Sequence, residues 1–120
     1  MAVSLNHVNI RASDLNATRA FYVRAIGLAE GWRPPFPFPG AWLYDRERPV
    51  VHLTITAPGE ESGPSPVSHV AFAYDDLDAA LARLDGLGIR YSPPQLTPGT
   101  DIRQCFTTDP NGVVVELQGR

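Results

Sequence analysis

Cysteine is nearly absent: Cys105 is the only one among 120 residues. A lone cysteine forms no intrachain disulfide, which excludes a disulfide-stapled secreted scaffold. Its surroundings in sequence offer no partner to activate the thiol, so no nucleophilic role is expected of it. Long apolar runs are missing too. Nothing approaches the ~20 residues that a membrane-spanning helix requires, so no membrane partner is expected. The opening Met1-Ala2-Val3-Ser4-Leu5-Asn6 lacks the basic stretch and apolar core of a secretory signal, and a cytoplasmic location is expected. Charge is sparse and scattered, with 10 basic and 13 acidic side chains and a net charge of −3. Without a basic stripe to neutralise phosphates, nucleic acid is excluded as a partner. Proline and glycine together are 22 of the 120 residues, short of the ~25–30% of low-complexity chains. What these absences leave is a globular domain of ordinary size with 43% hydrophobic residues.

The strongest positive feature is an internal echo. Residues 7–15 read His-Val-Asn-Ile-Arg-Ala-Ser-Asp-Leu, and residues 69–77 read His-Val-Ala-Phe-Ala-Tyr-Asp-Asp-Leu. His7 answers His69, Asp14 answers Asp76 and Leu15 answers Leu77, all at an offset of 62. Gly27-Leu28 answers Gly88-Ile89 at 61, while Asp45 answers Asp109 and Val50–Leu53 answers Val114–Leu117 at 64. An ordered, slowly drifting offset indicates two copies of one unit. Module 1–56 and module 67–120 are expected, joined by a polar, turn-rich linker over 57–66.

Each module reads as strand, helix, then three strands. The first predicts a strand over Ser4–Arg11, a helix over Leu15–Ile26 capped by Asp14 or Ser13, and strands at 28–33, 41–45 and 49–56. Leu15, Ala17, Ala20, Phe21 and Val23 are expected to face the core, and Gly27 to end the helix. The second predicts a strand at 67–74, a helix at 76–86 and strands at 88–92, 100–107 and 112–118. Asp109-Pro110-Asn111-Gly112 reads as a turn before the last strand. The run Arg33–Gly40 holds four prolines and is expected as a stiff loop whose Phe36 and Phe38 cover something.

Strands send alternate side chains to opposite faces. Val8 and Ile10, Val51, Leu53 and Ile55, Val70, Phe72 and Tyr74, and Val113, Val115 and Leu117 form the expected core sets. Opposite them lie His7, Asn9 and Arg11; His52, Thr54 and Thr56; His69; and Glu116 with Gln118. All three histidines therefore fall on non-core faces, and Glu116 stands at the repeat position of His52. Arg103 and Gln104 cannot be assigned to a face from sequence. Two related half-sheets can close around a shared cavity lined by these faces. Imidazole nitrogens with one carboxylate oxygen suit Fe(II), Ni, Zn or Mn rather than Ca or Mg.

With the repeat and these residues in view, the chain resembles the vicinal oxygen chelate superfamily. That superfamily includes glyoxalase I, methylmalonyl-CoA epimerase, extradiol dioxygenases, fosfomycin-resistance transferases and bleomycin-resistance proteins. The resemblance spans residues 4–118 and rests on "HVNIRASDLNATRAFYVRAIGL" and "FTTDPNGVVVEL". It implies an α+β fold of paired βαβββ modules forming a curved mixed sheet around a metal-binding cavity. It implies His7, His52, His69 and Glu116 as metal ligands, with Glu116 and His52 as acid/base groups. Arg11, Asn9, Thr54 and Trp42 are the expected substrate contacts, Arg11 matching an arginine that holds a glutathione carboxylate. A homodimer acting on a small molecule is implied.

Three departures bear on the activity. His52 stands where small glyoxalase I enzymes carry Glu, and Thr56 where they carry an asparagine contact. Phe106 stands where extradiol dioxygenases carry Tyr. The leading expectation is a divalent-metal-dependent lyase or isomerase acting on vicinal oxygens. The alternatives are ring-cleaving oxygenation, which needs a redox-active metal, and a non-catalytic drug-binding module.

Overall fold

A computed structural model of the chain describes residues 5–56 and 67–120. The chain divides into two compact units, Met1–Glu61 and Ser62–Arg120. The expected linker 57–66, and Ser4 at the start of the expected first strand, lie outside the described residues. No helix among the described residues is long and apolar enough to cross a membrane.

The first unit contains β1 (Val8–Ala12), α1 (Leu15–Ala20) continued by a π-helical segment (Phe21–Ile26), β2 (Ala29–Gly31), β3 (Gly40–Asp45) and β4 (Arg48–Ile55). Its sheet has the order β1-β4-β3-β2, with β1 parallel to β4 and the other pairs antiparallel. The second contains β5 (His69–Ala73), α2 (Leu77–Gly86), β6 (Gln95–Leu96), β7 (Arg103–Thr108) and β8 (Val114–Gly119). Its sheet has the order β5-β8-β7-β6, again with the first pair parallel. The duplicated sequence thus folds as duplicated topology, βαβββ twice, in an α+β architecture.

The matched aspartates explain why both helices start where they do. Asp14 Oδ1 accepts from the Ala17 amide at 3.0 Å, and Asp76 Oδ1 accepts from the Ala79 amide at 3.0 Å. Each cap satisfies an amide that has no partner inside its helix. The helices then differ. α2 stays α-helical and buries Leu77, Ala80, Leu81 and Leu84. The first helix widens after Ala20, and the Gly27 amide reaches back five residues to the Tyr22 carbonyl at 3.1 Å. A π turn takes up one more residue than an α turn. The first copy has one residue more than the second between its capping aspartate and its left-handed glycine, Gly27 or Gly88, whose φ values are 100° and 69°. The π segment is where that residue is accommodated, and it accounts for the offset falling from 62 to 61.

The structure also corrects the expected helix face. Thr18, Phe21, Tyr22, Ala25 and Ile26 are buried, whereas Ala17 is exposed and Leu15, Ala20 and Val23 are only half-buried. The buried residues recur at three- and four-residue spacings, and the inward stripe runs through Thr18 rather than Ala17. The buried residues meet Ile10, Ala12, Ala41, Leu43, Val51 and Leu53 of the sheet. In the second unit α2 packs on β8, and the buried residues on that face of the sheet are Cys105, Thr107, Val115 and Leu117.

Several strand boundaries differ from expectation. β1 begins at Val8, so His7 precedes it rather than lying within it. Ile55 closes β4 but is 43% exposed, because the sheet no longer has helix cover there. No strand forms at 88–92. That segment lies beside β7 but makes its bonds largely through hydroxyls: Phe106 N–H donates to Ser92 Oγ at 2.9 Å and Thr107 Oγ1 donates to the Arg90 carbonyl at 2.8 Å. Pro93 and Pro94 follow and supply no amide to extend a ladder. The antiparallel partner of β7 is instead the two-residue β6. The expected turn at 109–112 is present, with buried Asp109 accepting from the amides of Asn111 at 2.7 Å and Val113 at 2.9 Å.

Candidate metal-ligand pairs and ligand-binding face

Cross-strand partners share a face of a sheet, so the ladder registers sort the candidate residues directly. In the first unit Asn9, His52 and Trp42 are consecutive partners across β1, β4 and β3, and the next row is Arg11, Thr54 and Gly40. Asn9 Nδ2 donates to Thr54 Oγ1 at 3.0 Å, tying the two rows together. All four residues expected to contact substrate therefore lie on one face with His52.

The histidines of this unit are organised as an aromatic column. His7 and His52 stack with ring centroids 3.7 Å apart and planes 11° from parallel. His52 stacks in turn on Trp42 at 4.1 Å and 12°, and Trp32 meets Trp42 edge-on at 6.0 Å. His7 Nδ1 lies 2.7 Å from Asn6 Oδ1, and His52 Nε2 lies 3.1 Å from the Pro49 carbonyl. Both oxygens can only accept, so these ring nitrogens carry hydrogen and His7 Nε2 and His52 Nδ1 keep the lone pairs. Burial, the neighbouring His7 ring and the Arg33 charge push the His52 pKa down, against the bond to Pro49 that raises it. The balance favours the neutral ring, the form that a ligand or base requires.

An ion lies close to the plane of each imidazole that binds it, about 2.0–2.1 Å from nitrogen. Two nearly parallel planes 3.7 Å apart share no such point near the rings. In the stacked arrangement His7 and His52 do not serve one ion together; one ring must turn about its side-chain torsions first.

The second unit presents a different pair. His69 opens β5, and Glu116 lies in the middle of β8, paired with Ala71 on one side and Phe106 on the other. His69 Nε2 is 3.2 Å from Glu116 Oε1, and Ser68 Oγ is 3.0 Å from His69 Nδ1. Glu116 is buried while His69 is partly open. The His69 ring meets Phe106 edge-on at 5.6 Å. Phe106 also borders a cavity of about 400 Å³ formed with Ile89–Ser92, Thr107 and Thr108. Two donors held by one ion at ~2.1 Å stand roughly 3.0 Å apart at a right angle and roughly 3.4 Å apart in a tetrahedron. The 3.2 Å separation of His69 and Glu116 falls between these, so this pair fits a divalent ion as it stands. Within neither unit do three or more His, Cys, Asp or Glu side chains gather among the described residues. Each holds two of the four expected donors.

The registers also settle two residues that sequence left open. Gln104 pairs with Gln118 and shares the face of Glu116. Arg103 belongs to the opposite face, where its guanidinium binds Asp78 at 2.9 Å and the Arg120 carbonyl at 2.7 Å.

Sequence reasoning passed over Arg33. Its guanidinium packs at the position a Cβ of Gly40 would take, 2.7 Å from Nη2, and lies 5.0 and 5.1 Å from the ring centroids of Phe36 and Phe38. The one signal available was a glycine opening a strand at the end of an aromatic, proline-rich loop.

Residues 4–117 match the family described as the Glyoxalase/Bleomycin resistance protein/Dioxygenase superfamily. The chain is 28% identical over 122 residues to Glyoxylase I 4 of Arabidopsis thaliana, covering 95% of this chain and 69% of that protein. Its fold is similar to that of TnmS3, an antibiotic binding protein from Streptomyces sp. CB03234, at 25% identity and a TM-score of 0.75 over 99% and 98% of the two chains. It is similar in fold to lactoylglutathione lyase from Agrobacterium tumefaciens, at 22% identity and a TM-score of 0.74 over 98% and 94%. With duplicated βαβββ topology and a family match over nearly its whole length, the chain belongs to the glyoxalase/bleomycin resistance protein/dioxygenase superfamily.

Proposed function

We propose that this protein is a divalent-metal-dependent enzyme of the glyoxalase type, a lyase or isomerase acting on a small substrate with neighbouring oxygens. The observation that carries the reading is the His69–Glu116 pair, whose 3.2 Å spacing suits two ligands of one ion. His7, His52, His69 and Glu116 would hold the ion. The bound ion would act as a Lewis acid toward adjacent substrate oxygens.

The chain's own groups supply the rest. Glu116 is the base: its carboxylate is buried on a sheet face shared with Phe106 and Gln104 of β7, Gln118, and His69 and the small Ala71 and Ala73 of β5. The two alanines leave room beside it for a substrate carbon. The Ser68 hydroxyl, 3.0 Å from His69 Nδ1, can serve either tautomer of the ring. While Nε2–H points at Glu116, the Ser68 hydroxyl donates to Nδ1. Were Nε2 to hold the ion, Nδ1–H would donate to Ser68 Oγ. His52, whose pKa burial pushes down, is the second group able to accept a proton. Asn9, Thr54, Arg11 and Trp42 orient the substrate.

The stacked His7–His52–Trp42 column favours a second reading, a ligand-binding module that uses aromatic surface rather than a metal. The relation to an antibiotic binding protein supports it.

Elemental analysis separates these readings, on protein purified anaerobically without chelator or a nickel affinity step. About one Zn, Ni or Co per chain is expected, with binding abolished in His7→Ala and Glu116→Ala and weakened in His52→Ala. Unchanged stoichiometry in Glu116→Ala would overturn the site. Fe or Mn would move the assignment to ring-cleaving oxygenation. No metal, and none taken up on addition, would leave the binding module.

A further inference from the structure

The loop from Arg33 to Gly40 holds a cation whose hydrogen-bonding capacity is unused among the described residues. Phe36 and Phe38 stack on one another at 5.2 Å and 15°, and both rings lie against the Arg33 guanidinium. Aromatic contact covers the face of a guanidinium and leaves its in-plane N–H donors free. No acceptor among the described residues takes a hydrogen bond from them. The group is positioned even so. Gly40 has no side chain, and the guanidinium occupies the space a Cβ would fill. A hydrogen bond from the Tyr44 hydroxyl to the Trp32 carbonyl pins the start of the loop onto β3, and Phe36 N–H closes a turn onto the Pro34 carbonyl at 2.7 Å. The four prolines stiffen what lies between. A half-buried cation is thus fixed on the face that carries Thr54, Trp42 and His52.

We propose that Arg33 is a carboxylate-binding residue, receiving in two-pronged fashion the carboxylate of a ligand whose aromatic body lies against the edge of the Trp42–His52 column. A guanidinium presents parallel N–H donors that match a planar carboxylate. Gly40 and Trp42 are two residues apart on one strand face, a distance of about 7 Å. That is close to the span from a guanidinium carbon, through a carboxylate, to the centre of the ring bearing it. The edges of stacked rings favour an edge-to-face aromatic partner. The carboxylate contact itself involves no metal donor, because Arg33 alone holds the anion.

The test is calorimetric titration of the full chain in EDTA with benzoate, neutral benzamide and inorganic phosphate. Benzoate is expected to bind the wild type more tightly than benzamide or phosphate. Arg33→Met, which keeps the apolar stem, is expected to weaken benzoate on the order of ten-fold or more and leave benzamide unchanged. Arg33→Lys, which keeps the charge but loses the fork, should fall between. Arg24→Met, on the exposed side of the first helix, removes the same charge and should bind benzoate like the wild type. Amide shifts at Gly40 and Thr54 on adding benzoate locate the site. Equal benzoate affinity in Arg33→Met and wild type would overturn the proposal. So would equal affinity for benzoate and benzamide, tighter binding of phosphate, or no benzoate binding at all.

Discussion

Among single residues, His52 carries the clearest consequence of its surroundings. Burial and two neighbouring groups hold its folded pKa below the ordinary 6.5. As pH falls through 6.5 the unfolded chain takes up that proton first, so the contribution of His52 to stability is present above 6.5 and is lost as pH drops toward the folded value. Urea midpoints measured in EDTA from pH 7.5 to 5 should therefore decline, and His52→Gln should flatten part of the decline; an identical slope in the variant would assign it to other groups. Histidines of this kind were legible in the sequence, because alternation along a strand and equivalence between repeats both pointed to one face. Their pairing was not legible. That His7 lies flat on His52 while His69 reaches Glu116 depends on side-chain torsions, which no spacing encodes. Arg33 was invisible for a different reason: its place depends on a loop returning to a glycine seven residues further on.

The elements repay comparison copy against copy. Asp14 and Asp76 make the same cap with the same 3.0 Å bond, and Asp14→Ala and Asp76→Ala should each cost about 1 kcal/mol. Denaturation midpoints would show this, and asparagine at either position should restore most of the loss. A cap is a local pattern, so sequence finds it. The missing strand at 88–92 shows the limit of such patterns. Ile89 and Tyr91 alternate as a strand would, yet Ser92 and Thr107 spend hydroxyls on the neighbouring backbone and two prolines end the run. The last strand has a steric constraint of its own. A Cβ on Gly119 would come within 2.6 Å of the Tyr74 carbonyl and 3.2 Å of Leu77, so β8 can pass beneath the start of α2 only with glycine there. Its absent side chain matters as much as its neighbours' present ones.

For the molecule as a whole, the sequence repeat was a sound guide to topology, since two copies of one pattern must satisfy the same burial rules. Beyond the exchange of His52 for Glu116 it did not show how unlike the two polar faces would be, one an aromatic column with a guanidinium beside it and the other a histidine–carboxylate pair. Surface chemistry bears on assembly as well. Trp32 is 69% exposed and Leu96 62% exposed, with Phe36, Phe38 and Val67 also open. Burial of such side chains is a common driving force for association. With family resemblance implying a pair, light scattering should give a mass about twice the 13.1 kDa of the chain; a clean single-chain mass would refute the dimer.

The π turn at Phe21–Ile26 also has a genetic meaning. In an ordinary helix, losing one codon rotates every later side chain by about 100° and turns the buried stripe away from its sheet. Here a lost codon can be taken out of the wide turn itself, which closes to regular geometry while Asp14 and Gly27 stay at their posts. The first copy can therefore change length within its helix where the second has no such slack. Two descendants of one ancestral unit can in this way diverge in length and still inherit the same fold.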